Sequence, residues 1–263
     1  MKDTIHCFEF HDAKGVAICG DIHGDFNQVV YKCCIQYKMI DTIIIVAGDC
    51  GFGFEKEGYY EDVYKRNRDR LSKSNNSILF VRGNHDNPAY FNDYPINHRR
   101  WMTVPDYSVI KTCDHNILCI GGAISVDRLY RINDSRYLTA KPDNPLAKNI
   151  YWPNEHPVFS KDKLNSINET CLIDVVVTHT APSFCELRSK SDLTTMSMID
   201  EKLSENVRHE RQVMDDVFHC LKTMGHPLHY WFYGHFHQSW HQDIDGVQFI
   251  MLDIMELAQI KSL

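Results

Sequence analysis

The sequence has no apolar run approaching the roughly 20 residues that a membrane-spanning helix needs, which argues against a helical membrane segment. Its opening residues, Met1-Lys2-Asp3-Thr4-Ile5-His6, hold no apolar stretch of signal-peptide length, so the cytoplasm is the expected compartment. There is no excess of positive charge. A formal net charge of −7 over 263 residues argues against a general binder of nucleic-acid backbones and leaves room only for a local basic patch. No C-x-x-C pair occurs among the ten cysteines, so a zinc or redox motif of that spacing is missing, and reduced core residues are expected instead of a disulfide framework. Cys19, Cys119 and Cys171 lie in or beside apolar runs, where cysteine acts as a small hydrophobe. Cys50 adjoins Asp49, but no base is placed to activate it. Without internal repeats, low-complexity tracts or a linker, residues 1–263 read as one domain with a substantial core.

What the chain does have is a series of apolar runs that end alike. Gly15-Val16-Ala17-Ile18-Cys19 leads into Gly20-Asp21-Ile22-His23-Gly24-Asp25, and the run 42–47 leads into Gly48-Asp49. Ile78-Leu79-Phe80-Val81 leads into Gly83-Asn84-His85-Asp86, Val175-Val176-Val177 into Thr178-His179, and the run 228–233 into Gly234-His235-Phe236-His237. A carboxylate and an imidazole two residues apart, bracketed by glycines at a strand end, can face the same small volume, and such a volume suits a metal ion. The first three motifs begin about 30 residues apart, close to one strand-helix-strand unit, which predicts parallel neighbours. Loops at the carboxyl ends of parallel strands share an edge, so Asp21, Asp49 and Asn84 are expected to converge.

Between the motifs, the pattern predicts helices over 25–39, 59–72, 160–170 and 207–224, the third capped by Ser160. The charged face of the second reads as solvated surface. Residues 99–125 read as short strands, and Asp243-Ile244-Asp245-Gly246 as a hairpin turn. The stretch 127–156, rich in Pro, Asn, Asp and aromatics, is expected to be a lid or substrate-shaping insertion.

The ordered set Asp-x-His, Gly-Asp, Gly-Asn-His-Asp, a lone His after a strand, and Gly-His-x-His resembles the calcineurin-like metallophosphoesterase superfamily over residues 20–237. The resemblance implies an α/β fold, a four-layer αββα sandwich of two mixed β-sheets packed face to face with helices outside. It also implies two metal ions about 3.5 Å apart. Asp21, His23 and His237 would hold the first, Asn84, His179 and His235 the second, and Asp49 would bridge them. A bridge needs a carboxylate, and imidazoles favour Mn²⁺, Fe or Zn²⁺ over Mg²⁺ or Ca²⁺. With Asp21, Asp49 and a bridging hydroxide counted, about one net positive charge would remain to attract an anion.

The implied reaction is hydrolysis of a phosphomonoester, from a small phosphorylated substrate or a phosphopeptide, by direct attack of the bridging hydroxide. His85 would be the general acid, with the adjacent Asp86 orienting it and raising its pKa. Asn84, Arg82 and Arg128 are candidate phosphate contacts, with Arg131 beside the last of these. One departure bears on specificity: the phosphoprotein phosphatase branch continues Gly-Asp into Asp-Arg-Gly, whereas this chain reads Gly48-Asp49-Cys50-Gly51-Phe52-Gly53. A phosphodiesterase or nucleotide hydrolase is the alternative within enzymes. A catalytically silent scaffold would have lost ligands or the acid, and every matched position here is filled.

Overall fold

The β-branched run at 42–46 shows how the layers arise. Ile43 and Ile45 pack between two sheets, while Ile44 and Val46 face helices, because successive side chains on a strand point to opposite sides. Buried on both faces, such strands are apolar throughout instead of alternating. The computed structural model describes residues 5–139, 143–187 and 193–260.

The first half contains β1 (Cys7–Phe10), β2 (Gly15–Cys19), α1 (Phe26–Tyr31), β3 (Thr42–Val46), α2 (Tyr59–Ser74), β4 (Ser77–Phe80), β5 (Asn97–His98) and β6 (Trp101–Thr103). Next come β7 (Ser108–Thr112), β8 (His115–Ile120), α3 (Arg128–Ile132), α4 (Ser135–Leu138), α5 (Lys161–Asn168) and β9 (Val175–Thr178). The chain closes with α6 (Leu193–Ser197), α7 (Leu203–Thr223), β10 (Tyr230–Tyr233), β11 (Trp240–Ile244), β12 (Val247–Met251) and β13 (Leu257–Gln259).

One sheet has the order β13-β2-β3-β4-β6-β5, with β2, β3, β4 and β6 parallel. The other runs β1-β7-β8-β9-β10-β12-β11, with β8, β9, β10 and β12 parallel. Antiparallel pairs at β13-β2, β5-β6, β7-β8 and β11-β12 make both sheets mixed. Three apolar clusters fill the gaps between layers. Val16, Ile18, Val175, Val177 and Phe232 lie between the sheets; Phe26, Val29, Val63 and Leu71 seat α1 and α2 on the first sheet; Leu164, Val213, Val217 and Leu221 seat α5 and α7 on the second. The architecture is therefore the four-layer αββα sandwich that the resemblance implied.

One local expectation needs amendment. The helix expected over 25–39 is α1 followed by a π-helical turn, Lys32–Gln36, in which Tyr37 N donates to Lys32 O at 2.8 Å. The 127–156 segment carries α3 and α4, while 140–142 lie outside the described residues. Ser160 caps α5, its hydroxyl accepting from Lys163 N at 3.3 Å.

Candidate metal centre

Asp21 and His23 follow β2, Asp49 follows β3, and Asn84 and His85 follow β4. His179 follows β9, and His235 and His237 follow β10 in the opposite sheet. The loops meet closely enough that side chains are excluded at the glycines between them. A Cβ on Gly83 would stand 2.2 Å from Asp49 Oδ1, and one on Gly234 would stand 2.1 Å from Asp21 Oδ1. His23, Asp49, His235 and His237 all have left-handed backbone, with φ of 44°, 46°, 68° and 51°. Such conformations cost about 1–3 kcal/mol each and persist only where surrounding bonds enforce them. Here His23 N donates to Asp49 O at 2.8 Å, and His235 N donates to Asp21 Oδ1 at 3.0 Å.

Two neighbouring clusters of side chains result, and the atoms of the first could hold a metal ion. In the first, Asp21, His23, Asp49 and His237 place donor atoms within 4.8 Å of one another. His23 Nε2 and His237 Nε2 are 3.0 Å apart, and Asp21 Oδ2 is 3.0 Å from the latter and 3.8 Å from the former. In the second, His179 Nε2 lies 3.0 Å from both Asp49 Oδ1 and Asn84 Oδ1, and His235 stacks edgewise on His179 with ring centroids 5.0 Å apart. Asp49 belongs to both groups. Its Oδ1 faces His179, while its Oδ2 lies 3.9 Å from His23 Nδ1 and 3.2 Å from His85 Nδ1.

These atoms fit cations better than they fit each other. Asp21 Oδ2 is fully buried yet has no hydrogen bond, so its proximity to His237 leaves a carboxylate oxygen unsatisfied. His179 Nδ1 lies 2.8 Å from Ala47 O; donating its proton there leaves Nε2 as a bare lone pair facing two oxygens. Three acceptors converging without a proton repel one another unless a positive charge sits among them. The titration shifts reflect the same need. Burial opposes a charged His179, but the Asp49 and Asp21 carboxylates lift it to about 9. Burial drives His235 well below the usual histidine range, with His179 adding to the effect. Burial also opposes ionisation of Asp49, yet His85, His179 and His23 hold it well below the usual carboxylate range.

His85 is placed differently from the expectation. Asp86 does not orient it. The Asp86 carboxylate accepts backbone N–H bonds from Cys50 at 3.0 Å, Gly51 at 2.8 Å, Phe52 at 2.9 Å and Gly83 at 2.8 Å, so it staples two motif loops together. Nor does Asp86 raise the pKa of His85, which burial pushes down against the opposing pull of Asp49. Two arginines also depart from the expected phosphate contacts. Arg82 is buried and donates to Glu155 O at 2.7 Å and Asp106 Oδ2 at 2.9 Å. Arg128 is held by Asp200 at 2.6 Å. Both turn into protein acceptors because a guanidinium at a strand end or helix start takes whichever oxygens the fold supplies.

Arg131 is the arginine that lines the open cavity beside the centre, a volume of about 400 Å³ bounded also by His23, Asp25, Phe54, Tyr59 and His85. Asp127 Oδ1 at 2.8 Å and Ile150 O at 3.1 Å fix its guanidinium. Phe54 and Trp152 meet edge to face at 5.2 Å. The Cys50 thiol is fully buried and donates to Val81 O at 3.2 Å, and burial raises its pKa, so it is no nucleophile.

The family model for calcineurin-like phosphoesterases matches residues 15–239, spanning every one of these loops. The chain belongs to this family. Calcineurin-like phosphoesterases are metal-dependent phosphoric ester hydrolases, and among the described residues Asp21, His23, Asp49 and His237 form a group that could hold a metal ion. No curated protein matches the chain. Among solved structures it is similar to phosphopantetheinyl hydrolase (PptH) from Mycobacterium tuberculosis, at 16% identity and a TM-score of 0.43, with 94% of this chain and 95% of that chain covered. It is also similar to a putative 5'-nucleotidase from Staphylococcus aureus, at 11% identity and a TM-score of 0.38, with 94% of this chain and 50% of that chain covered.

Three buried polar residues around the centre carry no signal in the sequence. Ser125, Glu155 and Glu210 stand outside any motif, and only the fold brings them behind Asn84 and His179. Burial pushes Glu155 up to about 7 and Glu210 up to about 8.

Proposed function

We propose that this calcineurin-like phosphoesterase hydrolyses a phosphomonoester at a dinuclear centre in which Asp21, His23 and His237 hold one ion, Asn84, His179 and His235 hold the other, and Asp49 serves both. The observation that carries this reading is the approach of imidazole nitrogens from two sides to the two oxygens of Asp49. Imidazole-rich sites of this composition suit Mn²⁺, Fe or Zn²⁺. When bound, two such ions supply Lewis-acid charge to phosphoryl oxygens and lower the pKa of a water nucleophile.

The chain's own residues supply the rest. His85 lines the cavity with its Nδ1 held 3.2 Å from Asp49 Oδ2, so the ring is fixed for proton delivery to the leaving oxygen. A pKa lowered by burial makes its imidazolium the stronger acid, and an anionic ester entering the cavity favours charging it. Arg131, anchored through Nε and Nη1, retains N–H groups for the ester's oxygens. The 127–156 insertion thus shapes the pocket by contributing Arg131 and by backing the lining residue Phe54 with Trp152, in what we take as one domain. All ten cysteines are unpaired, which supports the reducing cytoplasm as the place of action. Among the described residues no helix is long and apolar enough to cross a membrane.

The test is a panel of p-nitrophenyl phosphate, bis-p-nitrophenyl phosphate, nucleotides and phosphopeptides, assayed with Mn²⁺ on the wild type and on His85→Ala. Monoester preference, with His85→Ala retaining metal but turning over about 10²–10⁴-fold more slowly, is expected. Preference for the diester would replace the monoesterase reading, and full turnover in a metal-free preparation would remove it.

A further inference from the structure

Asn84 can serve a cation only through its carbonyl oxygen, yet its amide is nearly symmetric in shape, so its direction is set by what its NH₂ end meets. Asn84 Nδ2 donates to Ser125 Oγ at 2.9 Å. Ser125 Oγ donates in turn to Glu155 Oε2 at 2.6 Å, and Ser125 N donates to Glu155 Oε1 at 2.8 Å. The three residues are 4%, 2% and 1% exposed, so water offers no substitute partner. A hydroxyl has a single hydrogen. Once that hydrogen is given to the carboxylate, Ser125 Oγ has only lone pairs to offer Asn84, and only an NH₂ group can meet them. Asn84 Oδ1 is thereby turned toward His179 Nε2, 3.0 Å away.

We propose that Glu155 is a positioning residue for the metal centre: it fixes the direction of hydrogen bonds through Ser125, and that direction aims the Asn84 oxygen at the second ion. This rests on the reading above that Asn84 is a ligand. Glu155 is itself tied to the same loop, because Arg82, two residues before Asn84, donates to its main-chain carbonyl at 2.7 Å. The insertion therefore acts on the centre from its far end without supplying a ligand, and the inward turn of Arg82 acquires a purpose.

Glu155→Gln keeps the shape and reverses the direction. Its Oε1 stays on Ser125 N, so its NH₂ faces Ser125 Oγ and donates to it. The hydroxyl hydrogen then turns to Asn84, whose amide must present oxygen to it and NH₂ to the ion. The measurement is stepwise Mn²⁺ affinity by competition with a chromophoric chelator, with the melting temperature of the metal-free protein recorded alongside. In Glu155→Gln the second Mn²⁺ is expected to bind about 10- to 100-fold more weakly, the first unchanged. In an Asn84→Asp background, where both ends of the side chain are oxygens, Glu155→Gln is expected to have no effect on Mn²⁺ affinity. Wild-type affinity for the second ion in Glu155→Gln, or an equal loss in the Asn84→Asp background, would overturn the relay. If Glu155→Gln does not fold, Ser125→Ala serves: it leaves the backbone N–H on Glu155, and it must weaken the second ion with Asn84 but not with Asp at position 84. Wild-type protein that takes up a single Mn²⁺ overturns the dinuclear reading and the relay together, whereas two ions in the wild type with no response to either variant overturn the relay alone.

Discussion

Replacing Gly83 with alanine isolates the geometry of the bridge. Gly83 does not have left-handed backbone, so the added methyl brings no conformational strain of its own, and its effect is steric. The new Cβ would lie 2.1 Å from Asp49 N and 2.2 Å from Asp49 Oδ1, whereas ordinary contacts to carbon are about 3.5 Å. Relief requires more than about 1 Å of movement, and the backbone nitrogen cannot rotate away as a flexible side-chain tip would. Overpacking of this kind costs about 1–3 kcal/mol, which for a chain of this size lowers Tm by several degrees. The functional cost is larger, because displacing a positioned group by about 1 Å lowers turnover roughly 100-fold. On the proposal that Asp49 serves both ions, both should bind more weakly. Metal content by mass spectrometry, Tm and turnover of p-nitrophenyl phosphate would be measured together, with Gly58→Ala as the control. Gly58 has φ of +87° and no atom within 4 Å of its Cβ, so alanine there should lower stability while metal and turnover stay as in the wild type. Two bound ions and undiminished turnover in Gly83→Ala would refute the placement of Asp49 at the junction.

Two further outcomes are expected. Glu210 is buried, accepts from Thr180 Oγ1 at 2.9 Å and from Ile124 N, and has its pKa pushed up to about 8. An unfolded glutamate titrates near 4.3, so between that pH and about 8 the folded state binds the extra proton, and stability falls as pH rises through the window by at most about 1.4 kcal/mol per pH unit. Glu210→Gln should flatten that part of the Tm profile, and an unchanged slope would show that Glu210 does not carry it. Arg131→Gln should raise KM for a phosphomonoester about tenfold with kcat little changed, while Arg128→Gln, which breaks the Asp200 pair, should leave KM alone; equal KM effects in the two would remove Arg131 from the phosphate.

Much of the fold was legible because its strands carry strong local signals. Apolar runs ending in Gly-Asp, Gly-Asn-His and Gly-His-x-His mark parallel strands and the edge they share, and β2, β3 and β4 pair in the order that their spacing implied. The turn at Asp245-Gly246, both at positive φ, closes the β11-β12 hairpin as its composition suggested. Long-range partners were not legible. Asp86 adjoins His85 in sequence, yet four backbone N–H groups claim its oxygens, because unsatisfied amides of a buried loop outbid a neighbouring ring. Arg82 and Arg128 carried the right charge for a phosphate, but their acceptors, Glu155 O and Asp200, lie more than 70 residues away. Glu155, Ser125 and Glu210 were invisible for the same reason: a buried acid reads as surface until the fold supplies its donors.

The central claim is that Asp49 joins two cations in one site. Anomalous X-ray scattering from crystals grown with Mn²⁺ measures this directly. Two maxima about 3.5 Å apart, one beside Asp21, His23 and His237 and the other beside Asn84, His179 and His235, with Asp49 touching both, are expected. A single maximum, or two that do not share Asp49, would contradict it.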